Sequence, residues 1–281
     1  MTPSPMLQGE GLAISFGGLR AVQELNLAVA PGQTLAIIGP NGAGKTTLFN
    51  LLAGTLRPDA GQVLLDGRDI SRLGPEGRAE LGLVRTFQHG RTFANLTARE
   101  NLLLGAHVRR RASRAGLPGL LWELAEALFP FGALRREEAR LGAETEPLVA
   151  PFGERIVPRL DRPAYSFSYA NRRRIEIARA LAARPRVLLL DEPTAGMNPA
   201  ETLEMIHYLQ ELKRQGQTMV IIEHKLPLVT QVADLVLVMD EGRRIAQDLP
   251  HRIAHDPQVI AAYLGTHPVP GGTHELTPAV S

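Results

Sequence analysis

Gly39-Pro40-Asn41-Gly42-Ala43-Gly44-Lys45-Thr46-Thr47 sets two glycines on either side of four residues and follows them with a lysine and a hydroxyl residue. Glycines let backbone N–H groups close around phosphate oxygens, Lys45 supplies a compact positive charge, and the Thr46 hydroxyl is placed for Mg²⁺. The flanks agree with that reading. Leu35-Ala36-Ile37-Ile38 is a buried-strand run, and Thr46 to Ala53 reads as a helix stopped by Gly54, so phosphate would lie at a helix N-terminus. A glycine-rich turn without a ligand is the competing reading, and the strand–loop–helix context weighs against it. All but three of the 31 basic residues are arginine. Lys45 therefore stands where a compact ammonium is needed and a planar guanidinium would not fit. The expected nucleotide contacts are Gly39, Asn41, Gly42, Ala43, Gly44, Lys45, Thr46 and Thr47.

The 281 residues, 44% of them hydrophobic, permit one large domain or a domain with a subdomain. A formal charge of +2 gives no electrostatic case for nucleic acid. The absence of cysteine excludes disulfides, thiolate metal sites and a cysteine nucleophile, and is compatible with a reducing cytosol. Met1 to Met6 has neither a basic nor an apolar leader region, and no stretch approaches the roughly 18 apolar residues of a membrane span. A soluble chain is expected, with any membrane link made through partners.

From Leu7 to Ala36, short apolar runs broken by Gly17-Gly18 and Pro31-Gly32 suggest antiparallel strands, and Gly61 to Gly67 adds another to the same small sheet. Phe16, at the end of one run, is placed either to stack on a nucleotide base or to fill a strand core. Leu83 to Gln88 is strand-like and would bring Gln88 to a ligand crevice, with a helix from Thr97. Gly105 to Tyr165 reads as a helical subdomain with an irregular, proline-rich exit. There Arg109-Arg110-Arg111 is a solvated face, and Leu117, Leu120, Leu121, Trp122 and Leu124 form a local core in preference to a partner-docking patch.

Ser166 to Ala183 is a loop entering a helix, with Ser168 at a cap position and Ile175, Ala178 and Ala182 in an apolar stripe. Arg186 to Pro193 is an apolar strand that delivers Asp191 and Glu192 at its C-terminal end, where parallel sheets bind ligands. In a phosphate-loop enzyme Asp191 suits Mg²⁺, and Glu192 suits polarising a water for attack on the terminal phosphate. Asn198-Pro199 opens a helix with a stripe of Leu203, Ile206, Leu209 and Leu212 and a stop at Gly216. Thr218 to Ile222 is a further strand, bringing Glu223-His224 to the same edge. Asp240-Glu241-Gly242 is a hairpin turn, and the tail after Gly265 reads as disordered. This order implies a P-loop α/β fold with a parallel sheet.

To about Gly265 the chain resembles the ATP-binding subunits of ABC transporters. Gly39 to Thr47 resembles Walker A, Gln88 the Q-loop, Ser168-Tyr169-Ala170-Asn171 the signature segment, Val187 to Asp191 Walker B, Glu192 the catalytic glutamate, Ala195 to Asn198 the D-loop and His224 the switch histidine. Phe16 falls on the base-stacking position. Within the family, Phe16 to Leu19, Arg85 to Gln88, Arg173 to Ala180, Glu192 to Pro199 and Ala262-Tyr263-Leu264-Gly265 resemble importers of branched-chain and related polar amino acids. The resemblance implies an α/β P-loop NTPase with a RecA-like parallel sheet core, a small antiparallel β-subdomain and a helical subdomain at about 90–185. It is one ATP-binding domain over 1–265, with 266–281 as tail. It implies ATP and Mg²⁺ as cofactors, with Thr46, Gln88 and Asp191 at the metal and Glu192, His224 and Gln88 in catalysis. Ser168 and Ala170 would reach the ATP held by a second, non-identical cassette. The implied companions are that cassette, two membrane permeases and an extracytoplasmic solute-binding protein, without nucleic acid, and the implied place is the cytoplasmic face of the membrane. A soluble ABC-type ATPase of DNA repair or translation, and a partly degenerate cassette acting as structural partner, are the alternatives. Three residues depart from the pattern. At the signature Ala170 stands for a glycine, where a positive φ would strain it and weaken one composite site, and Asn171 for the usual glutamine, while Lys225 stands where an acid is common.

Overall fold

The computed structural model describes residues 4–86, 92–113 and 140–264. Gln88, the Leu117–Leu124 cluster with Trp122, the side chains of Arg109, Arg110 and Arg111, and the tail from Gly265 lie outside that description. The strands are β1 (Leu7–Phe16), β2 (Leu19–Val29), β3 (Thr34–Ile38), β4 (Ala60–Leu65), β5 (Arg68–Asp69), β6 (Leu83–Arg85), β7 (Val187–Asp191), β8 (Thr218–Ile222), β9 (Leu235–Asp240) and β10 (Arg243–Asp248). The helices used below are α1 (Lys45–Ala53), α2 (Pro75–Glu80), α3 (Ala98–Ser113), α4 (Tyr169–Ala182), α5 (Pro199–Arg214), α6 (Leu226–Val232), α7 (Pro250–Ile253) and α8 (Pro257–Leu264).

Two sheets carry the chain. One is antiparallel, in the order β2-β1-β4-β5; the other runs β10-β9-β3-β8-β7-β6 and is parallel except for the β9–β10 hairpin. Its central strands β3, β7 and β8 are five residues each and buried throughout, because both faces of the sheet are covered. Side chains alternate between those faces. Leu35, Ile37, Leu189 and Val220 join Leu48, Phe49 and Leu52 of α1 and the inner face of the antiparallel sheet, while Leu188, Leu190, Met219 and Ile221 pack on α4 and α5. Ala36 and Ile38 meet Val236, Val238 and, from the C-terminal helices, Ile253 and Val259.

Local chemistry sets the helix ends. Asn198 Oδ1 accepts the Glu201 N–H at 2.9 Å and Glu201 returns a bond from the Asn198 N–H at 3.1 Å, a capping box with Pro199 at the first helical position. The buried face of α5 is Met205, Ile206, Tyr208, Leu209 and Leu212, and Leu203, expected in that stripe, is 47% exposed. At about 100° per residue Leu203 lies roughly 140° from the centre of the face that packs. Lys213 at the end of α5 donates to Val232 O at 2.9 Å and pairs with Asp234 at 2.6 Å. Between α3 and α4 the described chain proceeds through short 3-10 turns from Glu146 to Ser166.

Arginines that a charge reading leaves on the surface are buried here. Arg78 of α2 donates to Leu51 O and Leu52 O, the last turn of α1, at 2.6 and 2.7 Å, and to Leu73 O and Ser71 O. In α4, Arg173 pairs with Glu176 at 2.8 Å and donates to the Asp191 carbonyl, while Arg174 pairs with Glu204 at 2.5 Å and stacks over Phe152. The Arg78 bonds tie α2 to the end of α1, and the Arg173 and Arg174 bonds tie α4 to β7 and α5.

Candidate active site

The parallel strands end at one edge, and the expected residues meet there. Gly39 to Gly44 follows β3, Glu192 follows β7 and His224 lies two residues after β8. A cavity of about 690 Å³ is lined by Phe16 and Gly18 from the β1–β2 turn, Asn41 to Thr47, Glu192, His224 and the Glu241-Gly242 turn of the β9–β10 hairpin. That volume suits a nucleotide-sized ligand.

Backbone sterics demand the glycines at two positions. Gly39 has φ 149° and a Cβ there would stand 2.1 Å from Met239 O; Gly44, the cap of α1, has φ 92° and a Cβ there would stand 2.2 Å from Ala21 O. The loop is braced from behind, where Gly242 N–H donates to Ala43 O at 3.1 Å and Gln23 N–H to Gly242 O at 2.8 Å. Lys45 is 7% exposed, and its ammonium donates to Gly39 O and Pro40 O at 2.8 and 2.7 Å. Burial pulls its pKa below the usual lysine range, and the Glu192 charge acts in the opposite sense.

Glu192 and His224 face each other, Nε2 to Oε1 at 3.2 Å. Glu192 adopts φ 48°, the left-handed region, with its N–H on Ile222 O, so the chain turns sharply off β7 and presents the carboxylate to the cavity. Asp191 is fully buried. Its Oδ2 accepts from Arg85 at 2.7 Å, Arg85 also reaches Asn50 of α1 at 2.5 Å, and Asp191 Oδ1 is buried without a hydrogen-bond partner. An unsatisfied carboxylate oxygen and the Thr46 hydroxyl are donors for a hard cation. Among the described residues no cluster of three His, Cys, Asp or Glu could hold a metal ion.

Phe16 stands at the lip of the cavity, 47% exposed, on a turn made by Gly17 and Gly18 at φ 52° and 90°. Ser168 and Ala170 do not line this cavity; Ser168 caps α4 by accepting the Asn171 N–H, and Ala170 is buried in the core beneath it. Ala170 is not among the residues of positive φ, which removes the backbone strain that its replacement of glycine would otherwise carry.

The structure also gives Lys225 a place. Its ammonium donates to Thr194 O, Met197 O and Thr202 Oγ1 at 2.9, 2.9 and 3.0 Å, using all three protons. Next to it, Glu223 accepts from the Thr194 hydroxyl at 2.7 Å and from the His224 N–H at 2.9 Å. The segment bearing His224 is thus laced to the segment that follows Glu192. Lys225→Met is expected to lower ATP turnover about tenfold, close to the worth of one hydrogen bond from a charged donor, and to leave nucleotide affinity unchanged. Steady-state phosphate release alongside a fluorescent-nucleotide titration checks this; an unchanged turnover would reduce Lys225 to a fold contact.

A phosphate-cradling loop at a parallel-sheet edge, opposed by a paired glutamate and histidine, defines a P-loop ATPase of the cassette type. Residues 22–195 match the ABC transporter family model, and residues 243–268 match a model described as branched-chain amino acid ATP-binding cassette transporter. The chain belongs to the ABC transporter family, as one of its ATP-binding cassettes and an ATPase. It is 38% identical over 266 residues to the high-affinity branched-chain amino acid transport ATP-binding protein LivG of Escherichia coli K12, covering 93% of this chain and 98% of that protein. Against the corresponding BraF of Pseudomonas aeruginosa the identity is 40% over 264 residues, with the same coverage. A crystal structure of a nucleotide-free ATP-binding cassette from an ABC transporter superposes with a TM-score of 0.76 at 29% identity, covering 93% of this chain and 99% of that one. A cassette in its ADP conformation gives the same TM-score at 30% identity, again covering 93% and 99%.

Proposed function

We propose that this chain is the ATP-hydrolysing subunit that drives import of branched-chain amino acids. The observation that carries the catalytic half is the Glu192–His224 pair at 3.2 Å on the wall of a cavity floored by the phosphate loop. The names and high coverage of the LivG and BraF relatives support the transport half.

In this reading the loop amides and Lys45 take the β- and γ-phosphates, and Phe16 stacks on the base. Thr46, Asp191 and Gln88 hold Mg²⁺, which screens the phosphate charge when bound. Glu192 polarises the attacking water and His224 holds the glutamate in place. Ser168 and Ala170 face the ATP of a second, non-identical cassette. Two membrane permeases and an extracytoplasmic solute-binding protein complete the importer, with this chain peripheral on the cytoplasmic side and no nucleic acid involved. Among the described residues no helix is long and apolar enough to cross a membrane, so the bilayer contact is assigned to the permeases.

The test is ATP hydrolysis by the chain alone and then with co-expressed permeases and sibling cassette in vesicles, with leucine and binding protein added. Hydrolysis that rises on assembly and again with leucine is the expected result. Hydrolysis indifferent to both would return the chain to the soluble ATPases.

A further inference from the structure

The C-terminal helix reaches back to the phosphate loop. Tyr263, in the last turn of α8, accepts the Gly39 N–H on its hydroxyl at 2.9 Å, a contact between residues 224 positions apart. Gly39 is the first loop residue after β3, and the ladder to β9 ends one residue earlier at Ile38↔Val238. The phenol therefore takes over where the sheet stops. The other side of the Gly39 residue is also held, because its carbonyl accepts the Lys45 ammonium at 2.8 Å.

These two bonds differ in what a nucleotide does to them. Lys45 is the loop's charge for phosphate, so a bound nucleotide competes with Gly39 O for its ammonium. Tyr263 carries no charge near neutral pH, as an ordinary phenol does not. It is among neither the cavity-lining residues nor the catalytic pair. When Lys45 turns to phosphate, the Tyr263 hydroxyl remains to hold Gly39, and Gly39 has little freedom to adapt with Met239 O directly behind its α-carbon.

We propose that Tyr263 is a positioning residue for nucleotide binding: its hydroxyl fixes the start of the phosphate loop in the shape that accepts phosphate. The inference rests on the nucleotide reading of the loop and is independent of what the transporter carries. It gives the C-terminal helix a part in ATP affinity.

Tyr263→Phe keeps the ring and removes only the hydroxyl that accepts the Gly39 N–H. In the full chain it is expected to raise the Kd and the KM for ATP about fivefold, the worth of one hydrogen bond, with kcat unchanged. The Gly39 amide should also exchange hydrogen faster in the variant. Val259→Ala is the control: Val259 packs in the core beneath α8 with Val236, Val238 and Ile253. It should lower the melting temperature while leaving the Kd for ATP at the wild-type value. The proposal is overturned if Tyr263→Phe binds ATP like wild type, or if Val259→Ala shifts the Kd equally, which would mean that any loosening of α8 suffices. Wild-type chain that fails to bind ATP in the same titration would instead refute the nucleotide reading itself.

Discussion

Glu192→Gln is expected to lower ATP turnover by about 10²–10⁴-fold, the usual range for a positioned general base, while ATP still binds. The substitution is nearly isosteric, so the cavity keeps its shape and the strained φ of 48° is no harder for glutamine than for glutamate. What disappears is the negative charge that polarises water and that His224 faces at 3.2 Å. Lys45 loses an opposing charge in the same cavity, which lowers its pKa further but leaves its ammonium held by two carbonyls. Phosphate release measured beside nucleotide titration separates the two effects. Turnover comparable to wild type would mean that another group activates water, and the site would have to be rebuilt around it.

Arg78→Met should cost about 3–4 kcal/mol of folding stability and lower the melting temperature by roughly 10 °C, close to one kcal/mol for each hydrogen bond lost. Arg78 is fully buried, and burial brings its pKa down to about 10 against the pull of Asp69, so it is charged throughout the physiological range. Methionine fills similar space and removes the desolvation penalty of the guanidinium along with its bonds. The loss is then confined to the four carbonyls, two of which close the helix that begins at Lys45. A thermal melt of the variant checks the figure, and a shift of only a degree or two would show that water replaces the guanidinium.

Most of the cassette was legible in the sequence because its decisive signals are local. The strand–loop–helix around Lys45, the apolar strand that ends in Asp191-Glu192, the capped helix at Asn198-Pro199 and the Asp240 hairpin each declare themselves within about 20 residues, the range over which periodicity and turn chemistry operate. The less legible parts are polar contacts across the fold. Arg85 finds Asp191 106 positions away, Arg174 finds Glu204 across 30, and Lys225 finds its acceptors 23 to 31 residues back. No local pattern distinguishes such an arginine from a solvated one, because its partner is chosen by topology. Leu203 fell on the wrong side for a narrower reason, since four leucine and isoleucine positions define a helical stripe less sharply than the Thr202, Met205 and Tyr208 that pack alongside them.

The three lysines share a habit: Lys45, Lys213 and Lys225 each give their ammonium to main-chain oxygens inside the molecule. The solvent-facing positive charge of the described surface is accordingly guanidinium. Acylating reagents and amine-coupled supports would have to break one of these internal anchors to capture a lysine, so labelling there will report damage before it reports accessibility. Digestion with trypsin will yield peptides ending almost entirely in arginine. Attachment chemistry for this protein is better aimed at carboxylates or at an introduced cysteine, for which the natural chain provides a blank background.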